Sequence, residues 1–116
     1  MRRDEATLFD IVKAARAVLT FVKGLEKETF LNDFKTQSAV LYQLTVIGEA
    51  VKRLSFEFRT EHSGIPWSLI AGMRDHLIHG YDVVDWGEVW KTATSDVPDV
   101  LSKIEPLLPR ETLEEQ

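Results

Sequence analysis

Apolar residues in the first part of the chain recur at intervals of three and four, and this pattern limits what the chain can fold into. They are Leu8, Ile11, Val12, Ala15, Val18, Leu19 and Val22. Such spacing forms one stripe of an amphipathic helix, which must be buried against other elements. We expect this helix to begin at a cap on Asp4 and to run to about Lys23, where Gly24 can end it.

The longest helix is predicted from about Lys35 or Thr36 to Arg59, after a short helix near Thr29–Asn32. Its wide apolar face comprises Val40, Leu41, Leu44, Val46, Ile47, Ala50, Val51 and Leu54. Gly48 interrupts this face. Because glycine inside a helix costs about 1 kcal/mol relative to alanine, we expect a packing reason for it, such as the close approach of another helix.

The second half of the chain predicts two or three further helices. Proline in Ile65-Pro66-Trp67 is well placed to open a third helix, which we expect to end near Gly80. Asp85 and Glu88 have the spacing of a capping box for a fourth helix, and Pro98 breaks or restarts that helix. No strand pattern is evident. The prediction is an all-α, up-and-down bundle of four to five helices.

Length and composition indicate a single domain in 116 residues. We assign residues 1–109 to the helical domain and residues 110–116 to a flexible acidic tail. The chain has no cysteine, which excludes disulfides and suits a reducing compartment. No secretory signal is evident, and no apolar run approaches the ~20 residues of a membrane span. We therefore expect a cytoplasmic protein.

The net charge of −5 argues against a general affinity for nucleic acid, which usually requires a basic surface. A local basic patch remains compatible with that total, because a ligand responds to the charges around its own site. The candidates for such a patch are Lys35, Lys52, Arg53, Arg59 and Arg74.

One short segment concentrates the reactive side chains, namely Arg74, Asp75, His76, His79 and Tyr81. On a regular helix with about 100° per residue, Asp75 and His79 share a face, whereas Arg74 lies about 140° from His79. Either the last turn is distorted, or a second copy of the chain completes the site, which we favour. The apolar strip available to that copy comprises Trp67, Ala71 and Ile78.

Three chemistries are compatible with these residues alone. A metal site would use His76 and His79 with Asp75, which gives only three ligands. In a purely structural interpretation, Asp75 and His79 stabilise the helix. For phosphoryl chemistry on RNA, His79 would exchange protons with a 2′-hydroxyl or a leaving 5′-oxygen. Arg74 would stabilise charge on the phosphorus oxygens, with Glu49 orienting the guanidinium.

The segment from Arg74 through His79 to Tyr81 matches an R-x-x-x-x-H-x-Y signature and resembles the HEPN-domain toxins of the HepT type. The resemblance extends to Ile47-Gly48-Glu49-Ala50, to Ile65-Pro66-Trp67 and to Gly72-Met73-Arg74-Asp75. It covers about residues 4 to 108.

This resemblance implies a helical homodimer whose two motifs line a shared cleft. It implies a metal-independent endoribonuclease with Arg74 and His79 as catalytic residues, supported by Asp75 and Glu49, and no cofactor. It also implies a toxin whose antitoxin, an MNT-type nucleotidyltransferase, transfers AMP from ATP onto Tyr81. An alternative is a catalytically inactive helical dimer that binds a nucleotidyltransferase or a nucleotide.

Overall fold

The computed structural model describes residues 3–109, so the predicted acidic tail at 110–116 lies outside the described residues. Between them these residues form seven α-helices and one small hairpin. The α-helices are α1 (Arg3–Val22), α2 (Lys27–Leu31), α3 (Phe34–Lys52), α4 (Phe56–Glu61), α5 (Trp67–Ala71), α6 (Trp86–Lys91) and α7 (Val97–Ile104). The hairpin pairs β1 (Ile78–Gly80) with β2 (Val83–Val84). The predicted all-α bundle is confirmed, with more and shorter helices than expected.

The core lies between the two long helices, α1 and α3, and is closed by α7. The apolar stripe of α1 is buried as predicted, with Leu8, Val12 and Val18 fully inaccessible to solvent. Phe30 of α2 is also fully buried and packs against the rings of Trp86 and Trp90. Since burial of such side chains is the main favourable term in folding, these contacts fix the relative positions of the helices.

The predicted long helix to Arg59 is two helices. α3 ends at Lys52, and α4 begins after Ser55, whose hydroxyl accepts a hydrogen bond from the backbone N–H of Phe58. The Ser55 hydroxyl and N–H both donate to the carboxylate of Asp4, at 2.6 and 2.9 Å. Asp4 therefore lies inside the first turn of α1 and anchors this break, whereas we had predicted it as the α1 cap.

The predicted third helix also ends early. α5 stops at Ala71, a 3₁₀ turn follows over Met73–His76, and the chain then enters the hairpin. Gly72 ends the helix, because glycine favours a helical conformation poorly. The expectations of a helix to Gly80 and of no strands are therefore wrong. Ile70, Met73 and Leu77 are buried although no regular helix runs through them.

The C-terminal helices agree better with the sequence. The Asp85 carboxylate accepts a hydrogen bond from the backbone N–H of Glu88 and caps α6, as predicted. A π-helical turn, Thr92–Asp96, leads into α7, where Pro98 occupies the first turn and restarts the helix. Within residues 3–109, no helix combines the length and the hydropathy required to cross a bilayer.

Candidate active site

The element that carries Arg74 is positioned by a close approach of α3 and α5. A β-carbon added at Gly48 would lie 3.1 Å from the carbonyl oxygen of Ala71 and 3.6 Å from that of Ile70. Only glycine allows two backbones to come this near without displacement. The packing reason expected for Gly48 is thus present, and it places the neighbouring Glu49 beside the 3₁₀ turn.

Arg74 is exposed on this turn and lines an open groove of about 460 Å³. α3 contributes one wall, and the opposite side is formed by Ile78 and Trp86. The α3 residues of the groove are spaced as one helical stripe, and they are Phe34, Ser38, Leu41, Tyr42 and Thr45. Phe34 and Tyr42 are 76% and 66% exposed. The guanidinium therefore lies at the edge of a surface with accessible aromatic rings.

A cluster of charges surrounds Arg74. Lys52 Nζ donates to the carboxylate of Glu49 at 2.8 Å. This hydrogen bond and the charge of Lys52, together with the charges of Arg74 and Arg53, lower the pKa of Glu49. The same hydrogen bond and the negative charge of Glu49 raise the pKa of Lys52. The charge of Asp75 raises this pKa further, whereas the positive charge of Arg74 lowers it. Glu49 thus has Lys52 as its direct partner, while Arg74 acts on it more weakly.

His79 lies on the hairpin, at an irregularity in strand pairing. Ile78 is opposite Val84 and Gly80 is opposite Val83, so His79 is the extra residue of a β-bulge. A bulge turns a side chain away from the regular alternation, and bulges are frequent near active sites. The His79 side chain is exposed, and it makes no hydrogen bond or ion pair with residues 3–109.

Tyr81 occupies the turn between the strands and is 99% exposed. The hairpin base is closed by a 2.8 Å hydrogen bond from the backbone N–H of Asp85 to the carbonyl oxygen of Leu77. The strands therefore present Tyr81 at their tip, close in sequence to His79. We predicted that a helix ends at Gly80, but this residue belongs to β1.

The regular helix assumed for Arg74 and His79 does not exist, so the angular argument for a second copy loses its premise. Distortion does occur, at Gly72 instead of Gly80. The strip suggested for a partner is also partly wrong, because Trp67 is 6% exposed and its indole N–H donates to the His62 carbonyl oxygen at 3.0 Å. Accessible aromatic side chains that line the Arg74 groove include Phe34 and Tyr42 of α3.

The three side chains considered as metal ligands, His76, His79 and Asp75, do not form one site within residues 3–109. His76 lines a separate cleft with Leu69, Glu88 and Asp99, away from the groove that contains Arg74. Across residues 3–109, no three His, Cys, Asp or Glu side chains are grouped to hold a metal ion.

Sequence reasoning did not assign Lys52 a pairing role, nor Phe34, Tyr42 and Trp86 a place at the site. The i,i+3 spacing of Glu49 and Lys52 could have indicated their ion pair. The aromatic stripe at Phe34 and Tyr42 could have been found as a second apolar face of α3. Trp86 is partly buried and packs against the core.

Comparison with known proteins agrees with this architecture. The sequence model of a family described as "Ribonuclease HepT-like" matches residues 11–107. The chain belongs to this family of HepT-like ribonucleases, which are HEPN proteins.

Several curated proteins are similar over most of their length. "Probable ribonuclease HepT" of Thermococcus cleftensis is 43% identical over 86% of this chain and 91% of its own. "Putative RNase MJ1216" of Methanocaldococcus jannaschii is 39% identical over 92% and 89%, respectively. "Putative RNase TTE0752" of Caldanaerobacter subterraneus is 37% identical over 96% and 99%. No solved structure matches the chain.

Proposed function

We propose that this chain is a metal-independent endoribonuclease in which Arg74 and His79 are the catalytic residues. The observation that carries the proposal is the placement of His79 at a β-bulge, in a hairpin that directly follows the 3₁₀ turn bearing Arg74. Both side chains are exposed on adjoining elements. Membership of the HepT-like ribonuclease family supports RNA as the substrate.

In the proposed reaction the 2′-oxygen of a ribose attacks the adjacent phosphorus and the 5′-oxygen leaves. The His79 imidazole removes the 2′-hydroxyl proton or donates one to the leaving oxygen. The planar donors of Arg74 bind the non-bridging oxygens, where negative charge accumulates in the transition state. The substrate supplies its own nucleophile, so the residues need only move a proton and stabilise charge.

We assign supporting roles to Glu49 and Asp75. Glu49 holds Lys52 beside Arg74, so it keeps a second cation near the site and limits the repulsion between the two. Asp75 follows Arg74 on the 3₁₀ turn, and its charge acts on Lys52. Both carboxylates therefore influence catalysis through the cations instead of by contact with RNA.

We propose that the active form is a homodimer in which the grooves around Arg74 face each other. Phe34 and Tyr42 give α3 an accessible apolar rim at that groove. Apolar surface of this kind is usually covered by a partner. Two-fold pairing would place two Arg74–His79 sets around one cleft.

The proposed biological role is that of a cytoplasmic toxin in a HepT–MNT toxin–antitoxin module. The partner nucleotidyltransferase would catalyse attack of the Tyr81 hydroxyl oxygen on the α-phosphorus of ATP, with release of pyrophosphate and the hydroxyl proton. The 99% exposure of Tyr81 supports its access to another enzyme. The added phosphate and nucleoside would repel and obstruct an RNA phosphate near Arg74.

The decisive experiment compares Arg74→Ala, His79→Ala and His76→Ala with the wild type in RNA cleavage with a chelator present. Loss of either catalytic group should reduce kcat/KM by about 10²- to 10⁴-fold while the helical circular dichroism persists. His76→Ala should cleave normally, because His76 faces another cleft. Wild-type rates in both catalytic variants would contradict the assignment. Absence of cleavage by the wild type, with stable binding to the nucleotidyltransferase, would support an inactive binding module.

A further inference from the structure

A second groove, of about 610 Å³, lies between α4 and the start of α5, away from Arg74. Its lining includes one cation, Arg59, and no carboxylate. Three hydroxyl side chains accompany the cation, and these are Thr60, Ser63 and Ser68. The chain as a whole has a net charge of −5, whereas this groove has one positive side chain and no negative one.

The sequence of α4 produces this separation of charge. Phe56 and Arg59 of α4, three positions apart, line the groove, and Ser63 joins them from the turn after the helix. Glu57 and Glu61 are two positions on either side of Arg59, so each points about 160° away from it at 100° per residue. Both acids are exposed and absent from the groove lining. The helix therefore presents a cationic aromatic face and an acidic opposite face.

The Arg59 guanidinium makes no hydrogen bond with the described part of the fold. Its Nε is buried without a hydrogen-bond partner, and the guanidinium makes no ion pair with residues 3–109. The buried Nε is closed to an incoming ligand, but the terminal guanidinium nitrogens have no acceptor among the described residues and can bind one from another molecule. The preferred acceptors of a guanidinium are carboxylates and phosphates.

Phe56 adds a second kind of contact. Its ring is 73% exposed at the groove and contributes little to the core. Trp67 also lines the groove, where it donates a hydrogen bond to the His62 carbonyl oxygen and contacts the ring of Phe58. A cation with an accessible ring is the combination that binds single-stranded nucleic acid, through a phosphate and a stacked base.

We propose that the groove of Arg59 and Phe56 is a second RNA-binding site, which holds a single-stranded part of the substrate away from the cleaved bond. Arg59 binds a backbone phosphate, and a base stacks on Phe56. This inference rests on the proposed ribonuclease function and specifies where a longer substrate gains affinity. The hydroxyls of Ser63 and Ser68 provide further hydrogen bonds to phosphate or ribose.

The test uses the full chain with His79→Ala, which blocks cleavage, and fluorescent single-stranded RNA at several salt concentrations. Arg59→Gln should weaken binding about threefold to tenfold and reduce the slope of log affinity against log salt by about 0.7, the value for one phosphate. Phe56→Ala should weaken binding about tenfold through loss of stacking. Arg3→Gln, an exposed arginine outside the groove, should change the affinity and slope much less.

A length series in the cleavage-competent chain separates this site from the catalytic one. Arg59→Gln should lower kcat/KM for RNAs of about twenty nucleotides and leave that for the shortest cleavable RNAs unchanged. Equal loss at all lengths, an unchanged salt slope, or a change of oligomeric state in Arg59→Gln would overturn the inference. If the wild type cleaves RNA and Arg59→Gln binds and cleaves it equally well, the second binding site is disproved and the proposed ribonuclease function is unaffected. If no RNA is bound or cleaved, the proposed function fails with it.

Discussion

Gly48 of α3 lies against the carbonyl oxygen of Ala71, so closely that a β-carbon at position 48 would be 3.1 Å from that oxygen. Ala71 is the last residue of α5, and the 3₁₀ turn with Arg74 begins two residues later. α3 therefore meets the element that leads to the candidate site through a contact between main chains, which cannot adapt by a change of rotamer.

Substitution of Gly48 by alanine tests this contact. Alanine should gain about 1 kcal/mol from helix propensity, but overpacking against a carbonyl costs about 1–3 kcal/mol. We expect a net loss of about 1 kcal/mol in the free energy of unfolding and reduced RNA cleavage. Urea denaturation would measure the first effect. Gly64→Ala is the control, because Gly64 has no atom within 4 Å of its added β-carbon and lacks a positive φ; a Gly48→Ala variant as stable as this control would contradict the expectation.

The proposed modification site can be tested with the two tyrosines of the chain. After incubation with ATP and the partner nucleotidyltransferase, the wild type should gain one or more AMP units in intact mass. Tyr81→Phe should gain none, because the accepting hydroxyl is absent. Tyr42→Phe is a matched control, since Tyr42 is 66% exposed on a different element. An equal mass gain in Tyr81→Phe would exclude this site.

The proposed dimer predicts a change in assembly when charge is placed on the α3 rim. The double variant Phe34→Glu/Tyr42→Glu should sediment as a monomer, because carboxylates cannot be buried unpaired at an interface. Its RNA cleavage should fall with the dimer, while its fold is retained. Phe56→Glu introduces one carboxylate at another exposed aromatic ring and should remain dimeric. A double variant that sediments like the wild type would place the interface elsewhere.

The Glu49–Lys52 pair predicts a pH dependence of stability. Its hydrogen bond to Lys52 and the nearby cations lower the pKa of Glu49 in the folded state. The pair therefore stabilises the fold above the ordinary carboxyl pKa of about 4.3, and this contribution disappears as the pH falls through the lowered value. At pH 7 the Tm of the wild type should be higher than that of Glu49→Gln. The difference should be small, because the ion pair is exposed to solvent.

The difference in Tm between the two proteins should shrink as the pH falls from 7 to 3. Glu57→Gln provides a control for the change in charge, because Glu57 is exposed and makes no ion pair with the described residues. A Tm difference for Glu49→Gln that is unchanged from pH 7 to pH 3 would show that the ion pair is not its cause.

The parts of the fold that sequence predicted correctly are those specified by short-range patterns. The apolar stripe of α1, the cap at Asp85 and the restart at Pro98 each depend on residues within a few positions of one another. Gly48 was also informative, because an unfavourable residue inside a helix signals a tertiary contact.

The missed features depend on residues distant in sequence. α3 stops at Lys52 although its apolar pattern continues, because Ser55 is bound by Asp4, fifty-one positions away. Helical spacing likewise failed after Ala71, since the 3₁₀ turn keeps Met73 and Leu77 buried without a regular helix. The hairpin and bulge that carry His79 could not be predicted from the sequence, because the spacing of the apolar residues before them is also that of a helix.

The hairpin also has a consequence for the proposed modification of Tyr81. Because Tyr81 projects from the tip with 99% of its surface accessible, an adduct there can extend into solvent without rearranging the interior. An inactivated molecule would keep its native thermal stability and escape the proteolysis that clears unfolded chains. The cell would then hold a long-lived reserve of silent enzyme, and removing the adduct would restore activity without new synthesis.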